Sequence, residues 1–207
     1  VEGVGRYRRL ATTIDDALGE AFDKTAKLLM LGYPGGPAVE RLALEGDPKA
    51  VPLPRPLKGS SEPHFSFAGL KSAVLRAVES GAHQPADIAA SFQQAAVECL
   101  IDRLELALTK AGPFPALVVA GGVAANRTVR GALEGFAAKH AMRFTAPPLA
   151  LCTDNAAMIA WAGCERLAEE GWAAGKDFAG DSLEFVARPR WPLDASAEAV
   201  RGAGVKG

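Results

Sequence analysis

The sequence predicts an α/β fold, and two adjoining features in its second half carry that prediction. A short apolar run, Leu117 to Ala120, is typical of a strand buried on both faces. It ends in Gly121 and Gly122, and a helix-compatible stretch then runs from about Asn126 to Lys139. Glycines at the carboxyl end of a strand admit a ligand to the backbone, and the helix start offers unpaired N–H groups. We therefore expect a ligand site at this turn, with a plain tight connection as the alternative.

Length and composition are those of an ordinary globular protein. The 207 residues suit one large or two small domains, with 49% apolar and 23% charged residues. A net charge of −1 excludes a generally basic nucleic-acid-binding surface, although a local basic patch stays open. The three cysteines have no CxxC spacing, which argues against structural zinc and a disulfide framework and favours a reducing compartment, the cytoplasm.

The chain carries no sequence signal for a membrane or for secretion. No apolar run approaches the roughly 18 residues of a spanning helix, so we expect no membrane association. No signal peptide opens the chain either. The first residue is Val1 rather than Met, so we expect a processed product or a piece of something longer.

The amino-terminal part is predicted to be a hairpin arm followed by helices. Val1 to Leu10 alternates loosely, as in a strand or hairpin. A helix is predicted from about Thr13, where Thr13 and Asp16 resemble a loose capping box, to Leu29. The charges on its polar face have a plain interpretation as solvated i,i+4 pairs, Glu20–Lys24 and Asp23–Lys27.

Two breaks separate the next helices. Tyr33 to Pro37 interrupts the chain, and Pro37 can open a short helix to about Leu44. Residues 46–63 hold five prolines and are predicted to be an extended surface loop. A helix to about Ser80 and a long one from Pro85 to Lys110 follow, and the broad apolar stripe of the second predicts a central packing helix.

After the Gly121–Gly122 turn, the predicted order continues with shorter elements. Met142 to Ala146 is expected to be a strand, and Thr153 or Asp154 to cap a helix running to about Glu170. Leu183 to Val186 is expected to be a final strand. From Ala195 onward the small residues predict a loose tail.

Five separated motifs occur together in this chain, and together they carry a family resemblance. They are Gly19-Glu20-Ala21-Phe22-Asp23-Lys24, Tyr33-Pro34-Gly35-Gly36-Pro37, Gly121-Gly122-Val123-Ala124-Ala125-Asn126-Arg127, Cys152-Thr153-Asp154-Asn155-Ala156-Ala157-Met158 and Pro189-Arg190-Trp191-Pro192-Leu193. In this order they closely resemble the carboxyl-terminal portion of the TsaD/Gcp family, formerly called O-sialoglycoprotein endopeptidase or glycoprotease. The resemblance extends from Val1 to about Asp194.

The resemblance implies a fold and an activity. The fold is the actin-like ATPase (sugar kinase/Hsp70/actin) type, of which this chain is one lobe plus accompanying helices, a fragment of a two-lobe protein. Residues 1–194 are then the carboxyl-terminal part of that domain, and residues 195–207 a flexible tail. The activity is that of a tRNA threonylcarbamoyltransferase, an acyltransferase that moves threonylcarbamoyl from threonylcarbamoyl-AMP to the adenine beside the anticodon.

The resemblance also implies site residues and ligands. Asp23 and Gly36 correspond to residues on the ribose and backbone side of the adenylate, and Glu20 is assigned to the same nucleotide site. Asn126, with Gly121 and Gly122 beside it, is expected to face the nucleoside. Asp154 is expected to be one ligand of an iron or zinc ion, and ATP or threonylcarbamoyl-AMP to be the nucleotide.

Several parts of the family pattern are absent from this sequence. A HxxxH metal pair and two phosphate-binding turns are not found, and no two of His64, His83 and His140 are four residues apart. One oxygen ligand holds a transition metal weakly, because catalytic sites normally supply three protein ligands. We therefore expect this chain to be half of an active site and to be inactive alone.

The expected partners are tRNA, other proteins of the threonylcarbamoyladenosine pathway, and a second subunit in a homo- or hetero-dimer. Candidates for RNA contact are Arg6, Arg8, Arg9, Arg127, Arg188 and Arg190, each of which is also typical of a solvated arginine. Two alternative functions stay open. One is a metal-dependent glycoprotease, although no HExxH is present; the other is a non-catalytic interaction module pairing through a sheet edge.

Overall fold

The computed structural model describes residues 1–169 and 192–197. Residues 10–153 form the larger of two compact units, and residues 1–9 belong with 154–169 and 192–197 to the smaller one. The predicted strand Leu183–Val186, Arg188, Arg190 and residues 198–207 of the predicted tail lie outside the described residues. Within the described part, no helix is both long and apolar enough to cross a membrane.

The first helix of the larger unit, α1, spans Leu18–Leu28 and begins later than predicted. The stretch before it is extended, because Ile14 N donates to Phe65 O at 2.9 Å and Phe65 N donates to Thr12 O at 3.0 Å. Thr13 Oγ1 donates to a backbone carbonyl, Asp16 O, at 2.8 Å. The predicted capping box at Thr13 is therefore wrong, since this segment pairs with a distant part of the chain instead.

The acid next to that segment serves another helix. Asp15 Oδ1 accepts from Phe67 N at 2.7 Å and from Ala68 N at 3.2 Å. These donors lie at the start of α3, which spans Ala68–Ser80 and ends at Gly81 with a positive φ of 62°. A carboxylate that accepts from the first N–H groups of a helix stabilises its start. Asp15 thus caps α3 from outside that helix.

Helix α2 spans Gly35–Ala43 and packs closely on α1. An added Cβ at Gly35 would lie 2.7 Å from Asp23 Cα and 2.8 Å from Ala26 Cβ. Distances this short do not occur between real Cβ atoms and their neighbours. Only glycine fits where the two helices meet, which explains the first glycine of the pair Gly35–Gly36.

The proline-rich segment 46–63 has no helix or strand, as predicted, but it is anchored rather than loose. Val51 and Leu53 are buried in the core. The buried Arg103 guanidinium donates to Ser60 O at 3.0 Å and to Glu62 O at 2.6 Å, and it pairs with Asp102. The prediction of a surface loop is therefore only partly right.

Helix α4 spans Pro85–Ala111 and is the central element that its apolar stripe predicts. It packs against α2, α3 and α5. Phe92 is fully buried and meets Phe22 of α1 edge to face, with ring centroids 5.0 Å apart. The main core therefore forms around α4.

Strands β1 (Ala116–Val118) and β2 (Arg143–Thr145) pair in parallel, with α5 (Arg127–Lys139) as the crossover between them. This confirms the predicted strand–turn–helix unit and the strand after it. Leu117 packs on the core, but Val118 is 68% exposed. The prediction that the first strand is buried on both faces is wrong for the described residues.

In its described residues, the smaller unit has a turn near the start of the chain and a helix. Arg6 N donates to Gly3 O at 3.1 Å and Glu2 N donates to Arg6 O at 2.9 Å, which confirms a hairpin-like turn near the start of the chain. Helix α6 spans Ala156–Glu169, and Asn155 Oδ1 accepts from Met158 N at 3.1 Å. Asn155 thus fills the capping role that the sequence predicts for Thr153 or Asp154.

Candidate functional site at the glycine-rich turn

The turn after β1 begins with a glycine in a left-handed conformation. Gly121 has a φ of +87°, which glycine adopts at no steric cost. A short 3₁₀ helix, Gly122–Ala125, connects it to α5. Added Cβ atoms at Gly121 and at Gly122 would meet nothing within 4 Å. The turn therefore presents open backbone at the carboxyl edge of the parallel strands, where α/β proteins bind ligands.

Asn126 closes this turn and caps α5. Its Oδ1 accepts from Val129 N at 2.9 Å, and its own backbone N donates to Val123 O at 3.1 Å. Its Nδ2 donates to Gln93 Oε1 of α4 at 2.8 Å. Asn126 is buried, and these two side-chain bonds hold its carboxamide at both ends. The role of Asn126 in facing a nucleoside stays a prediction.

A second polar side chain ties this turn to the end of β2. Arg130 Nε donates to Ala124 O at 2.9 Å, and Arg130 Nη2 donates to Pro147 O at 3.2 Å. Both acceptors are uncharged backbone carbonyls that follow the two parallel strands. Arg130 therefore joins the two connections at the carboxyl edge of the sheet.

Two other residues, one of α1 and one of α2, lie next to the same turn. Gly19 of α1 faces Val123, where an added Cβ would lie 3.5 Å from Val123 Cγ2. Glu40 Oε1 of α2 accepts from Arg127 N, at the start of α5, at 2.7 Å. Two helices of the larger unit thus contact the segment that follows the two glycines.

Asp23 and Gly36 occupy the junction between α1 and α2. Asp23 is exposed, and its Oδ1 accepts from Gly35 N at 3.1 Å. An added Cβ at Gly36 would meet nothing within 4 Å, in contrast to Gly35. The predicted pair Asp23–Lys27 does not form; Asp23 bonds to the start of α2 instead. The structure therefore places Asp23 and Gly36 together on α1 and α2.

Glu20 lies one turn before Asp23 and forms the predicted i,i+4 pair. Lys24 Nζ lies 2.6 Å from Glu20 Oε1 and 2.7 Å from Asp16 Oδ1. Hydrogen bonds to these two carboxylates raise the pKa of the Lys24 ammonium. The exposed Glu20 is thus paired with the partly buried Lys24, and its role at a nucleotide stays a prediction.

The predicted metal ligand, Asp154, belongs to the smaller unit, just before α6. Its side chain is exposed. Among the described residues, no group of three or more His, Cys, Asp or Glu side chains could hold a metal ion. A catalytic transition-metal site normally has three protein ligands. The described residues therefore do not form a metal site by themselves.

The described candidates for RNA contact belong to both units. Arg8 pairs at 4.0 Å with Glu2 in the exposed turn of the smaller unit, and Arg9 N in the same unit donates to Asp194 Oδ2 at 2.9 Å. Arg127 is exposed in the larger unit, at the start of α5. Each unit thus supplies at least one of these arginines, and RNA contact stays a prediction.

Sequence reasoning missed the residues that support this turn from below. Gln93, Glu40 and Arg130 lie in none of the five motifs, and Gln93 and Glu40 contact this part of the chain from segments far away in sequence. The one available signal was Gln93, a polar residue within the apolar stripe of the predicted central helix. Cys99, Cys152 and Cys164 are all free thiols, as predicted.

The larger unit is thus an α/β protein with an accessible glycine-rich turn at the ligand-binding edge of a parallel sheet. A sequence profile of the TsaD family, described as tRNA N6-adenosine threonylcarbamoyltransferase, matches residues 1–161. The chain belongs to this family, whose fold is of the actin-like ATPase type. This confirms the resemblance drawn from the five motifs.

Close relatives carry the same family name. A tRNA N6-adenosine threonylcarbamoyltransferase of Erythrobacter litoralis is 75% identical over 206 residues, which are 100% of this chain and 58% of the relative. That of Novosphingobium aromaticivorans is 70% identical, over 100% of this chain and 57% of the relative. That of Zymomonas mobilis is 62% identical, over 100% of this chain and 56% of the relative. The chain therefore spans a little over half the length of these relatives, whose names favour neither a glycoprotease nor an interaction module.

Proposed function

We propose that this chain is part of a tRNA N6-adenosine threonylcarbamoyltransferase and supplies the nucleoside side of its active site. Family membership supports the reaction class. The observation that carries the proposal is that both glycine corners adjoin one helix, α1. Gly19 of α1 faces the turn that follows Gly121 and Gly122, and Asp23 of α1 accepts from the glycine next to Gly36.

The proposed reaction transfers one acyl group. The N6 amine of a tRNA adenine attacks the carbamoyl carbon of threonylcarbamoyl-AMP and forms a new C–N bond. The bond between that carbon and the phosphate oxygen breaks, AMP leaves with the electron pair, and the attacking nitrogen loses a proton. No oxidant or reductant is needed, so the protein has to bind, orient and exclude water.

We assign the nucleotide to the groups around α1 and the turn. The Asp23 carboxylate keeps acceptor capacity beyond its bond to Gly35 N, and it can accept from ribose hydroxyls. Gly36, Gly121 and Gly122 have open space where side chains would stand, so backbone can approach a planar base. Asn126 faces the nucleoside from the helix start, and Glu20 lies at the rim. Either ATP or threonylcarbamoyl-AMP fits this assignment.

Asp154 is assigned as one oxygen ligand of an iron or zinc ion. Carboxylate oxygen is an acceptable ligand for either metal, and the remaining ligands would come from the portion of the family protein that this chain does not span. Bound there, the metal would polarise a carbonyl or hold phosphate oxygens. Since one ligand is insufficient, the 207-residue chain alone is expected to be inactive.

The rest of the assignment concerns organisation and partners. Residues 1–194 would be one lobe with accompanying helices in a two-lobe protein, and residues 195–207 a flexible tail. The partners would be tRNA, other proteins of the threonylcarbamoyladenosine pathway and a second subunit in a homo- or hetero-dimer. The place of action would be the cytoplasm. Contacts of arginines with tRNA phosphates would make binding fall steeply with salt.

A chimera tests the proposal. This chain replaces the 206-residue matching segment of the Erythrobacter litoralis relative, and transfer of threonylcarbamoyl to tRNA is measured. We expect turnover by the chimera and none by the 207-residue chain. Asp23→Ala should reduce kcat/KM about 10- to 100-fold, because it removes charge-assisted bonds to the nucleotide.

The matched control is Glu79→Gln, which alters an exposed acid of α3 away from the turn and should leave kcat/KM unchanged. Asp154→Ala should remove bound metal and turnover together. A folded chimera without transfer activity would overturn the proposed function. Full turnover by the 207-residue chain alone would contradict the prediction that it supplies only half of an active site.

A further inference from the structure

Gln93 is an unusual residue in the central helix α4. Its side chain is 6% exposed, and its neighbours along the buried stripe, such as Phe92, Ala95 and Ala96, are apolar. Burial of a carboxamide costs free energy unless its polar atoms are bonded. An apolar residue would satisfy this packing position without that cost. The polar identity of Gln93 therefore calls for an explanation beyond packing.

Both ends of the Gln93 carboxamide are used, and both partners lie at the start of α5. Gln93 Oε1 accepts from Asn126 Nδ2 at 2.8 Å. Gln93 Nε2 donates to Thr128 Oγ1 at 3.1 Å. Gln93 thus connects the core helix to the capping residue of α5 and to the second residue of that helix.

The bonds of Asn126 leave its carboxamide one orientation. Asn126 Oδ1 must face the Val129 N–H, because that group is a donor. The amide nitrogen must then face Gln93 Oε1, which is an acceptor. With the carboxamide reversed, two donors would face each other at Val129 and two acceptors at Gln93. The Val129 N–H thus sets which end of the Asn126 carboxamide is the oxygen, and Gln93 Oε1 holds the opposite, nitrogen end in place.

Asn126 in turn fixes the glycine-rich turn. Its backbone N donates to Val123 O at 3.1 Å, and Ala124 N donates to Gly121 O at 3.0 Å. A rotation of the Asn126 side chain would release the cap of α5 at the residue whose backbone N–H also closes this turn. We propose that Gln93 is a positioning residue that acts through Asn126 to hold this turn in its ligand-binding form. This inference rests on the proposed nucleotide role of Asn126.

Three substitutions separate this role from a contribution to stability alone. Gln93→Met has similar size and loses both bonds. Gln93→Glu keeps an oxygen that accepts from Asn126, and it buries an acid that destabilises the core. Thr128→Val removes only the hydroxyl that accepts from Gln93 Nε2, and it leaves the bond between Gln93 and Asn126 intact. Gln94→Met is the matched control, because Gln94 is the next residue of α4 and its side chain bonds to Glu98 instead.

The measurements are the dissociation constant for AMP and for ATP, and the urea midpoint of unfolding, both on the full-length chimera. We expect Gln93→Met to weaken nucleotide binding about tenfold, which corresponds to about 1.4 kcal/mol. Gln93→Glu should lower the urea midpoint and yet keep the dissociation constant within about threefold of the parent. Thr128→Val and Gln94→Met should also stay within about threefold.

The inference would be overturned if nucleotide affinity fell in proportion to the urea midpoint across these variants. It would also be overturned if Gln93→Met bound nucleotide as tightly as the parent. Asn126→Ala keeps this test separate from the proposed function. A parent chimera without nucleotide binding, or Asn126→Ala with full affinity, overturns the nucleotide role and this inference with it. Loss of binding in Asn126→Ala but not in Gln93→Met overturns the inference about Gln93 alone.

Discussion

Helices α5 and α6 begin in the same way and yet differ in almost everything that follows. Each has an asparagine cap, with Asn126 Oδ1 bonded to Val129 N at 2.9 Å and Asn155 Oδ1 bonded to Met158 N at 3.1 Å. Helix α5 then buries Leu133, among other residues, against the core. Helix α6 has no buried residue in the described part of the chain. The cap is a local property of the sequence, whereas burial requires a surface supplied by other segments.

Thiol reactivity should give the largest contrast between the two regions. Burial raises the pKa of the Cys99 thiol of α4 to about 11, while Cys164 of α6 is exposed. Because the thiolate is the reactive form, we expect Cys99 to react at least about 100-fold more slowly than Cys164 with a thiol reagent at pH 8. Timed labelling followed by peptide mass spectrometry measures both rates. Equal rates would mean that α6 is covered in solution.

Truncation of an aliphatic side chain should separate the helices next. Leu133 of α5 is 3% exposed, and Ile159 of α6 is 69% exposed. Leu133→Ala should lower the free energy of unfolding by about 2–5 kcal/mol, because it leaves a cavity. Ile159→Ala should change it by less than about 0.5 kcal/mol. Urea titration of the 207-residue chain compares the two, and a large cost at Ile159 would contradict its exposure.

Removal of the caps should give a smaller difference. Asn155→Ala should cost about 0.5–1 kcal/mol, the usual value of an exposed cap. Asn126→Ala should cost about 2 kcal/mol, because the buried Gln93 carboxamide also loses a partner. Urea titration again measures both values. Similar costs at the two positions would indicate that the bond to Gln93 contributes nothing to stability.

The smallest effect concerns an ion pair that holds the proline-rich segment to α4. The hydrogen bond from Arg55, with one from Gln94, lowers the pKa of the Glu98 carboxyl to about 2. Because the folded pKa lies below the ordinary value of 4.5, this stabilisation is present above pH 4.5 and is lost as the pH falls toward 2. The shift sets an upper limit of about 3 kcal/mol, which solvent reduces to about 1.

Glu98→Gln should therefore be about 1 kcal/mol less stable than the parent at pH 7, with a difference that shrinks below pH 4.5. Chemical denaturation across pH 2–7 measures this, with Glu79→Gln, a change of an exposed acid of α3, as the control. If the difference in the free energy of unfolding between Glu98→Gln and the parent grew as the pH fell, the stabilisation would not come from a lowered pKa of Glu98. Such a result would remove the ion pair as the anchor of the segment.

The sequence was informative wherever a structure depends on neighbouring residues. The long apolar stripe of α4 and the strand, turn and helix around Gly121 were predicted, because periodicity and turn chemistry are local. The break predicted over residues 33–37 is shorter in the structure, because α2 already begins at Gly35. The capping box predicted at Thr13 was wrong because the structure there depends on a distant residue: residues 12–14 pair with Phe65. The burial predicted for Val118 was wrong because burial depends on which other segments cover a strand, and an apolar run does not reveal them.

The candidate site divides in the same way. The glycines and Asn126 could be found from motifs and from the family they resemble. The contacts of Gln93 and Glu40 with the turn and the start of α5 could not, because each joins segments far apart in the chain. A buried amide such as that of Gln93 is visible in sequence only as one polar letter in an apolar stripe.

Two adjacent glycines at the start of α2 have different reasons to be glycine. At position 35 any side chain would collide with Asp23 and Ala26, whereas at position 36 it would enter empty space. In a library of random substitutions sorted first for expression and then for turnover, position 35 should be depleted at the first sort. On the proposed function, position 36 should pass that sort and be depleted only at the second. The pair would thus calibrate how far such a screen distinguishes folding defects from ligand-binding defects elsewhere in the family.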